Sequence, residues 1–169
     1  ESLWPGWQRS QASLRRLQSD YIDLYQLHSP SRDVLTSAPF QETLGALERL
    51  KTQGKIRAYG IALDLAEDAS HCLDMTGISS LQMPFGIMDL EASQGIFEGV
   101  SKRGIGIIAR GCFGGGALKA SLTEAELRAT EPQWERVLRI RQIVQDFGRS
   151  ALEAALQFSL REPRIGVNI

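Results

Sequence analysis

One of the two histidines in the sequence, His28, directly follows a mostly apolar, β-prone run over residues 21–27. Enzymes built as parallel α/β barrels place their catalytic groups at the carboxyl ends of strands. A neutral imidazole at such a position can donate a hydrogen bond to a substrate carbonyl and orient it. A histidine that merely closes the end of a strand is the alternative interpretation, and its position alone leaves both open.

Two further polar residues and a glycine run accompany later apolar segments. Gln82 lies inside the apolar run 81–85, and its primary amide can pair with a carboxamide because each group offers a donor and an acceptor. Gly114–Gly116 follow the apolar run 105–109, and glycines allow main-chain N–H groups to approach a phosphate closely. Arg110 begins that turn and could meet an anion or stack on a planar ring. The structural alternatives are an amide bonded within the fold, a flexible turn and a surface ion pair.

The composition restricts the class of protein. The chain has 169 residues, 43% of them hydrophobic and 23% charged, and its net charge is −1, which predicts one globular domain over residues 1–169. A nearly neutral chain lacks the basic surface of a nucleic-acid-binding protein, and no apolar run approaches the ~20 residues of a membrane span. The first residues do not resemble a secretory leader, and Cys72 and Cys112 have no partners at metal-binding spacing. We therefore expect reduced thiols, no metal site and a cytoplasmic protein.

Alternating strands and helices must position these residues. Strands are predicted at residues 21–27, 56–61, 81–85, 105–109 and 165–169. A polar loop is expected up to about Phe40, and the leucine-rich helix that follows should stop at Gly54. Asp64 and Glu67 resemble a capping box that starts a short helix. The remaining helices are predicted at residues 10–18, 91–103, 132–148 and 150–161.

Short apolar strands that alternate with amphipathic helices predict a parallel sheet, for which two architectures are open. A (β/α)8 barrel takes ~250 residues, so five of its eight units need roughly 160. A five-stranded flavodoxin-like sheet would have a similar size but expects a phosphate-binding glycine loop after its first strand. Here residues 28–31 read His-Ser-Pro-Ser, without glycine. The barrel is therefore favoured, with this chain carrying roughly its strands 4–8.

Taken together, the segments resemble the aldo-keto reductase superfamily in the order that the family has them. The best match is SLRRL at 13–17, DYIDLY at 20–25 and LHSP at 27–30. The remaining matching segments are LERL at 47–50, GKIR at 54–57, YGI at 59–61, LQMPF at 81–85, the glycine-rich segment 104–116 and the closing segment 151–163. Each motif is ordinary by itself, but the combination covers nearly the whole chain.

The resemblance implies a barrel that reduces carbonyl substrates with NADPH, or with NADH. Of the family's catalytic Asp, Tyr, Lys and His, only His28 can be carried over, as the residue that orients the carbonyl; the other three would precede Glu1. Gln82 matches the position that holds the nicotinamide carboxamide, and Arg110 matches the position whose side chain packs on the nicotinamide ring. The loop over the pyrophosphate would contain Gly111, Cys112, Phe113 and Gly115. The implied partner is a small carbonyl compound, not a nucleic acid or a membrane, and the oligomeric state is not predicted.

Several positions depart from the family's pattern. Ala62 and Leu63 stand where the family has a carboxamide-binding Ser and an Asn, and Phe85-Gly86 stand where Tyr-Asn is usual. Cys112-Phe113 replace the usual Pro-Leu. The alternatives to an enzyme are thus a non-catalytic barrel of this type that binds a nucleotide or a partner protein, and an unrelated nucleotide-binding protein of flavodoxin type.

Overall fold

The computed structural model describes residues 11–12, 14–90 and 94–169, and its five strands form one parallel sheet. The strands are β1 (Ile22–His28), β2 (Ile56–Ala62), β3 (Ser80–Pro84), β4 (Gly106–Arg110) and β5 (Ile165–Asn168). They lie side by side in chain order, and every neighbouring pair is parallel. A flavodoxin-like sheet reverses its order after the first strand, whereas a barrel does not. The prediction of a partial (β/α)8 barrel is therefore confirmed.

Helices connect the strands. They are α1 (Arg32–Leu35), α2 (Ala38–Thr52), α3 (Gln94–Lys102), α4 (Glu124–Thr130), α5 (Trp134–Asp146) and α6 (Ala151–Leu160), with 3₁₀ turns at Ala66–Cys72 and Gly114–Gly116. Before β1, residues 11–12 and 14–17 are helical, and the predicted cap of that helix, Ser10, lies outside the described residues. Thr123 and Ser150 each accept a main-chain N–H from a glutamate three residues later, which fixes the starts of α4 and α6.

The two faces of the sheet have different environments. Because side chains alternate along a strand, one residue in two packs outward against α2 and α3. On β2, β3 and β4 the outward residues Tyr59, Ile61, Leu81, Met83 and Ile107 are at most 2% exposed. The intervening residues form the opposite face, which would be the inside of a closed barrel.

One row of that inner face has little side-chain volume. In register across four strands it consists of Gln26, Gly60, Ser80 and Gly106. A Cβ atom on Gly60 would lie 2.3 Å from the Ser80 hydroxyl oxygen, so only glycine fits beside this serine. The Gln26 amide nitrogen and the Ser80 hydroxyl are buried and have no hydrogen-bond partner among the described residues. The row therefore places polar groups directly beneath the level of His28.

Three predictions about local structure are wrong. The segment before Phe40 is not a loop, because α1 forms there and α2 already begins at Ala38. Asp64 and Glu67 do not form a capping box: the first 3₁₀ turn begins after Leu65 without a side-chain cap. No helix was predicted where α4 forms, whereas the helix predicted at 132–148 is present at Trp134–Asp146. The strand boundaries, by contrast, agree with the prediction to within one residue.

The described sheet has two edges, β1 and β5, each with a single neighbouring strand. Beside the β5 edge, Leu152, Leu156 and Leu160 follow one another at helical spacing on α6, and they are 37%, 39% and 62% exposed. Val167 and Ile169 are also exposed. The described residues leave these apolar side chains uncovered. No described helix combines the length and the apolar character that crossing a membrane requires.

Candidate active site

The sequence-predicted site residues come together at the carboxyl edge of the sheet. His28 is level with Ala62, Ala62 with Gln82, and Gln82 with Ile108. His28, Gln82 and Arg110 all belong to the inner face. Along its own strand, each lies an even number of residues after a member of the inner row, which contains Gln26, Ser80 and Gly106. The parallel register thus aligns three of the predicted residues without any loop having to bring them together.

His28 is the last residue of β1, and its imidazole is exposed at the sheet edge. No hydrogen bond joins its ring to any residue that the structure describes. Ser29, the next residue, has a positive φ of 47°, a conformation that residues other than glycine adopt uncommonly. The Ser29 main-chain N–H donates to the Ala62 carbonyl at 2.8 Å, which fixes the chain as it leaves β1. The imidazole is therefore held on an anchored strand end while its polar atoms face the solvent.

Gln82 lies in the middle of β3 on the inner face and is half-buried. Its main-chain carbonyl accepts the Leu63 N–H at 2.8 Å, but its side-chain amide bonds to no residue within the described part of the chain. The neighbouring Ala62 and Leu63 are 4% and 1% exposed and contribute no polar side chain. Gln82 therefore presents a free donor and a free acceptor at the level of His28.

Arg110 ends β4, and its side chain crosses the end of β3 to reach the segment after β2. Its Nη2 donates to the Leu63 carbonyl and to Asp64 Oδ1, both at 3.1 Å. Asp64 Oδ1 also accepts the hydroxyl of Ser29 at 2.9 Å. Sequence reasoning placed Asp64 at a helix cap and missed this contact. The sequence signal for this contact was an acidic residue directly after β2 and an arginine at the end of β4, two strands further along the sheet.

The loop after β4 has an unusual backbone conformation. Gly111, Gly114, Gly115 and Gly116 have positive φ angles of 77°, 58°, 60° and 96°, which only glycine adopts readily. Around Gly111 and Gly115, no heavy atom lies within 4 Å of where a Cβ would stand. The main chain of this loop is therefore accessible to a ligand at two of the predicted cofactor-binding positions.

The two side chains predicted within this loop have opposite environments. Cys112 is buried, and this burial raises the pKa of its thiol above the ordinary value. A Cβ on Gly86 would lie 2.9 Å from the Cys112 Cα, so the loop packs against β3 only because residue 86 is glycine. Phe113 is 39% exposed. Cys112 can therefore meet a ligand only through its main chain, whereas the Phe113 ring is accessible.

Metal binding has no support in the described residues, among which no three His, Cys, Asp or Glu side chains cluster in a way that could hold an ion. The polar groups at the sheet edge are instead an imidazole, an amide, a guanidinium and one carboxylate. Such a set can orient an uncharged carbonyl and an amide-bearing ring by hydrogen bonds.

Comparison with known proteins identifies the family. The sequence model of the Aldo/keto reductase family matches residues 8–169. The chain belongs to this family. Among curated members of this oxidoreductase family, the aldo-keto reductase YhdN of Bacillus subtilis is 26% identical over 167 residues. That match covers 89% of the present chain and 49% of YhdN, so the chain spans about half the length of this relative.

Solved structures of family members agree with the fold. The holo form of aldo-keto reductase AKR11C1 from Bacillus halodurans superposes with a TM-score of 0.77 at 30% identity, covering 95% of this chain and 54% of that one. The glycerol dehydrogenase AKR11B4 from Gluconobacter oxydans has a TM-score of 0.73 at 22% identity, covering 96% of this chain and 53% of that one. This second similarity concerns the fold alone. The five-stranded sheet of this aldo/keto reductase chain is thus a partial barrel, as the sequence predicted.

Proposed function

We propose that the intact protein reduces aldehydes or ketones to alcohols, with NADPH as the reductant and NADH as the alternative. The observation that carries this proposal is the alignment of His28, Gln82 and Arg110 on the inner face of one sheet edge. These three residues match, position by position, the family's carbonyl-orienting histidine and its nicotinamide-contacting residues. The family's Asp, Tyr and Lys would come from a segment that precedes Glu1.

Two features of the described residues fit a nicotinamide dinucleotide. The Gln82 amide has no partner among the residues that the structure describes, so it can pair with a carboxamide through one donor and one acceptor. The space beside Gly111 and Gly115 is empty where side chains would otherwise stand, so a pyrophosphate can approach the main chain there. When bound, the cofactor would supply the hydride to the carbonyl carbon, and the family's tyrosine would supply the proton to the carbonyl oxygen.

The protein's own contribution is orientation. The His28 imidazole donates an N–H to the carbonyl oxygen, which fixes the carbonyl relative to the sheet edge and polarises its C=O bond. Gln82 fixes the rotation of the nicotinamide by bonding its carboxamide. Arg110, which spans the end of β3, offers the flat face of its guanidinium to the ring. Phe113 contributes an exposed ring next to the glycine-rich main chain.

A second candidate is a barrel that binds the nucleotide without catalysing a reaction. It is favoured by Ala62 and Leu63, because neither supplies the polar side chain that the family uses at these positions, and Leu63 is fully buried in the core. Under this alternative the intact protein would bind NADPH but would not turn over carbonyl substrates. A cytoplasmic location is proposed for either candidate, because Cys72 and Cys112 are both free thiols.

The test replaces each histidine of the chain in the intact protein. His28→Ala should lower kcat/KM for a reactive aldehyde by about 100-fold or more, the usual effect of removing one positioned hydrogen-bond donor. Its affinity for NADPH should not change, since His28 would contact only the substrate. His71→Ala is the matched control, because His71 is also exposed but lies in the first 3₁₀ turn. Equal activity of the two variants would remove His28 from the mechanism, and NADPH binding without turnover in the unmodified protein would favour the second candidate.

A further inference from the structure

Asp64 connects two residues of the candidate active site through one carboxylate oxygen. Its Oδ1 accepts the Ser29 hydroxyl at 2.9 Å and Arg110 Nη2 at 3.1 Å. Ser29 directly follows His28, and Arg110 is the side chain assigned to the nicotinamide ring. The same Nη2 also donates to the Leu63 carbonyl at 3.1 Å. Asp64 therefore joins the loops that leave β1, β2 and β4.

Stability does not account for this arrangement. The Arg110 and Asp64 side chains are 35% and 68% exposed, and ion pairs in such contact with water contribute little to folding. The chain contains a comparable pair, Arg57 with Asp23, whose side chains are 63% and 72% exposed at a distance of 2.8 Å. That second pair involves the second residues of β1 and β2, at the opposite end of the sheet. What distinguishes Asp64 is therefore its location and its second contact.

The Ser29 contact acts on a backbone conformation that needs support. Ser29 has a positive φ of 47°, and a residue other than glycine keeps such a conformation only where its surroundings hold it. Two bonds do so here: its N–H donates to the Ala62 carbonyl at 2.8 Å, and its hydroxyl donates to Asp64. Because His28 is the preceding residue, loss of the hydroxyl bond should allow the histidine to change its direction.

The Arg110 contact fixes a flexible side chain. An arginine has many rotamers, and one bond to a carbonyl permits rotation about that contact. The bond to the negatively charged Asp64 is charge-assisted and adds a second fixed acceptor. With both acceptors in place, the guanidinium remains across the end of β3, in front of the strand that carries Gln82. An asparagine at position 64 would keep an oxygen acceptor but would lose the charge.

We propose that Asp64 is a positioning residue that aligns the carbonyl-orienting His28 with the nicotinamide-covering Arg110. This inference rests on the proposed function, because it assigns to Asp64 the relative orientation of substrate and cofactor. Asp64 itself contacts neither the reacting carbon nor the hydride. Its removal should therefore lower turnover and weaken cofactor binding at the same time, through two separable contacts.

The experiment uses Asp64→Asn in the intact protein, with Asp23→Asn as the matched control that breaks the exposed pair at the far end of the sheet. Asp64→Asn should lower kcat/KM for a reactive aldehyde about tenfold or more, because a neutral amide oxygen holds Ser29 and Arg110 more weakly than the carboxylate does and small displacements of positioned groups have large effects on rate. It should raise the Kd for NADPH about threefold or more, the scale of one exposed charge contact. Asp23→Asn should change neither quantity, and the thermal unfolding midpoints of both variants should stay close together.

Two further variants separate the contacts. In an Arg110→Gln background, Asp64→Asn should have no additional effect on the NADPH Kd, because Asp64 then has no guanidinium to hold. Ser29→Ala should lower kcat/KM without changing the NADPH Kd, since it affects only the His28 side. A merely structural role of Asp64 would instead give additive effects in the double variant and a lowered unfolding midpoint. If Asp64→Asn does not fold, Ser29→Ala decides the question, because an unchanged kcat/KM in that variant would overturn the inference.

The outcomes distinguish this inference from the proposed function. If Arg110→Gln and His28→Ala have their expected effects but Asp64→Asn behaves like Asp23→Asn, the positioning role is wrong and the proposed function stands. If neither Arg110→Gln nor His28→Ala has any effect, the proposed function is wrong. Tighter NADPH binding by Asp64→Asn would also overturn the inference, because it would mean that Asp64 competes with the cofactor for Arg110.

Discussion

Gly115→Ala tests the glycine loop in a way that separates cofactor binding from folding. Gly115 has a φ of 60°, and a Cβ there would have no neighbour within 4 Å. The substitution therefore causes no steric clash in the protein. Its cost is that of an L-residue in the left-handed region, about 1 kcal/mol of folding free energy.

Gly54→Ala provides a control with the same cost. Gly54 follows α2, has a φ of 70° and likewise has no heavy atom within 4 Å of a Cβ position. It lies just before β2, at the end of the sheet opposite to His28. Both substitutions should thus lower the unfolding free energy of the intact protein equally, by about 1 kcal/mol, as measured by denaturant titration.

The two variants should differ in cofactor affinity. If the pyrophosphate approaches the main chain at Gly115, the added methyl group occupies the approach, and the Kd for NADPH should rise about tenfold or more, or about 1.4 kcal/mol. Gly54→Ala should retain the unmodified Kd. Fluorescence titration with NADPH measures both. Equal affinities of the two variants would refute the reasoning and leave the loop as an ordinary turn.

Four further outcomes are expected. Cys72 is fully buried, and burial raises the pKa of its thiol to about 12; it should resist iodoacetamide at neutral pH until the protein is unfolded, and rapid labelling of the native state would contradict its burial. Arg164 lowers the pKa of Glu162 below its ordinary value of 4.5, so this pair stabilises the fold above that pH and stops doing so as the pH falls. The difference in unfolding midpoint between Glu162→Gln and the unmodified protein should therefore disappear in acid. A difference that stays constant with pH would argue against the pair. Gly60→Ala should destabilise the protein by about 3 kcal/mol, because its Cβ would lie 2.4 Å from the Ser80 main-chain oxygen; an unchanged denaturation midpoint would be incompatible with that close approach. Finally, the 169-residue chain produced by itself should self-associate because of its two sheet edges and uncovered leucines, and a monomer by light scattering would contradict this.

The strands and their order could be predicted from the sequence because buried parallel strands are short, continuous apolar runs. The same logic placed His28 and Gln82 at one edge, since parallel strands end on the same side. The α4 helix was missed although Thr123 and Glu126 have the spacing of a capping box, which the structure contains. With few apolar residues, this charged segment shows no clear helical periodicity, so no helix was predicted there.

The contacts of Asp64 could not be predicted by local reasoning. Its spacing to Glu67 satisfies the capping pattern, but the structure uses both carboxylates for distant partners. Asp64 binds Ser29 and Arg110, and Glu67 accepts from Arg32 at 3.1 Å. Such pairs depend on the register between strands and on side chains that cross a neighbouring strand. Neither is encoded in a short sequence window, so a local pattern and a long-range contact compete for the same residue.

The order of the strands in the sheet also has a consequence for biosynthesis. Each strand from β2 to β5 pairs with the strand that precedes it in the chain, so its docking site has already been translated when it leaves the ribosome. Contacts between neighbouring units keep loop-closure distances short, which favours fast folding. Folding can then proceed unit by unit during synthesis. A translational pause between two units would leave the last completed strand as a temporary edge, and nascent chains stalled there should be the ones that chaperones capture.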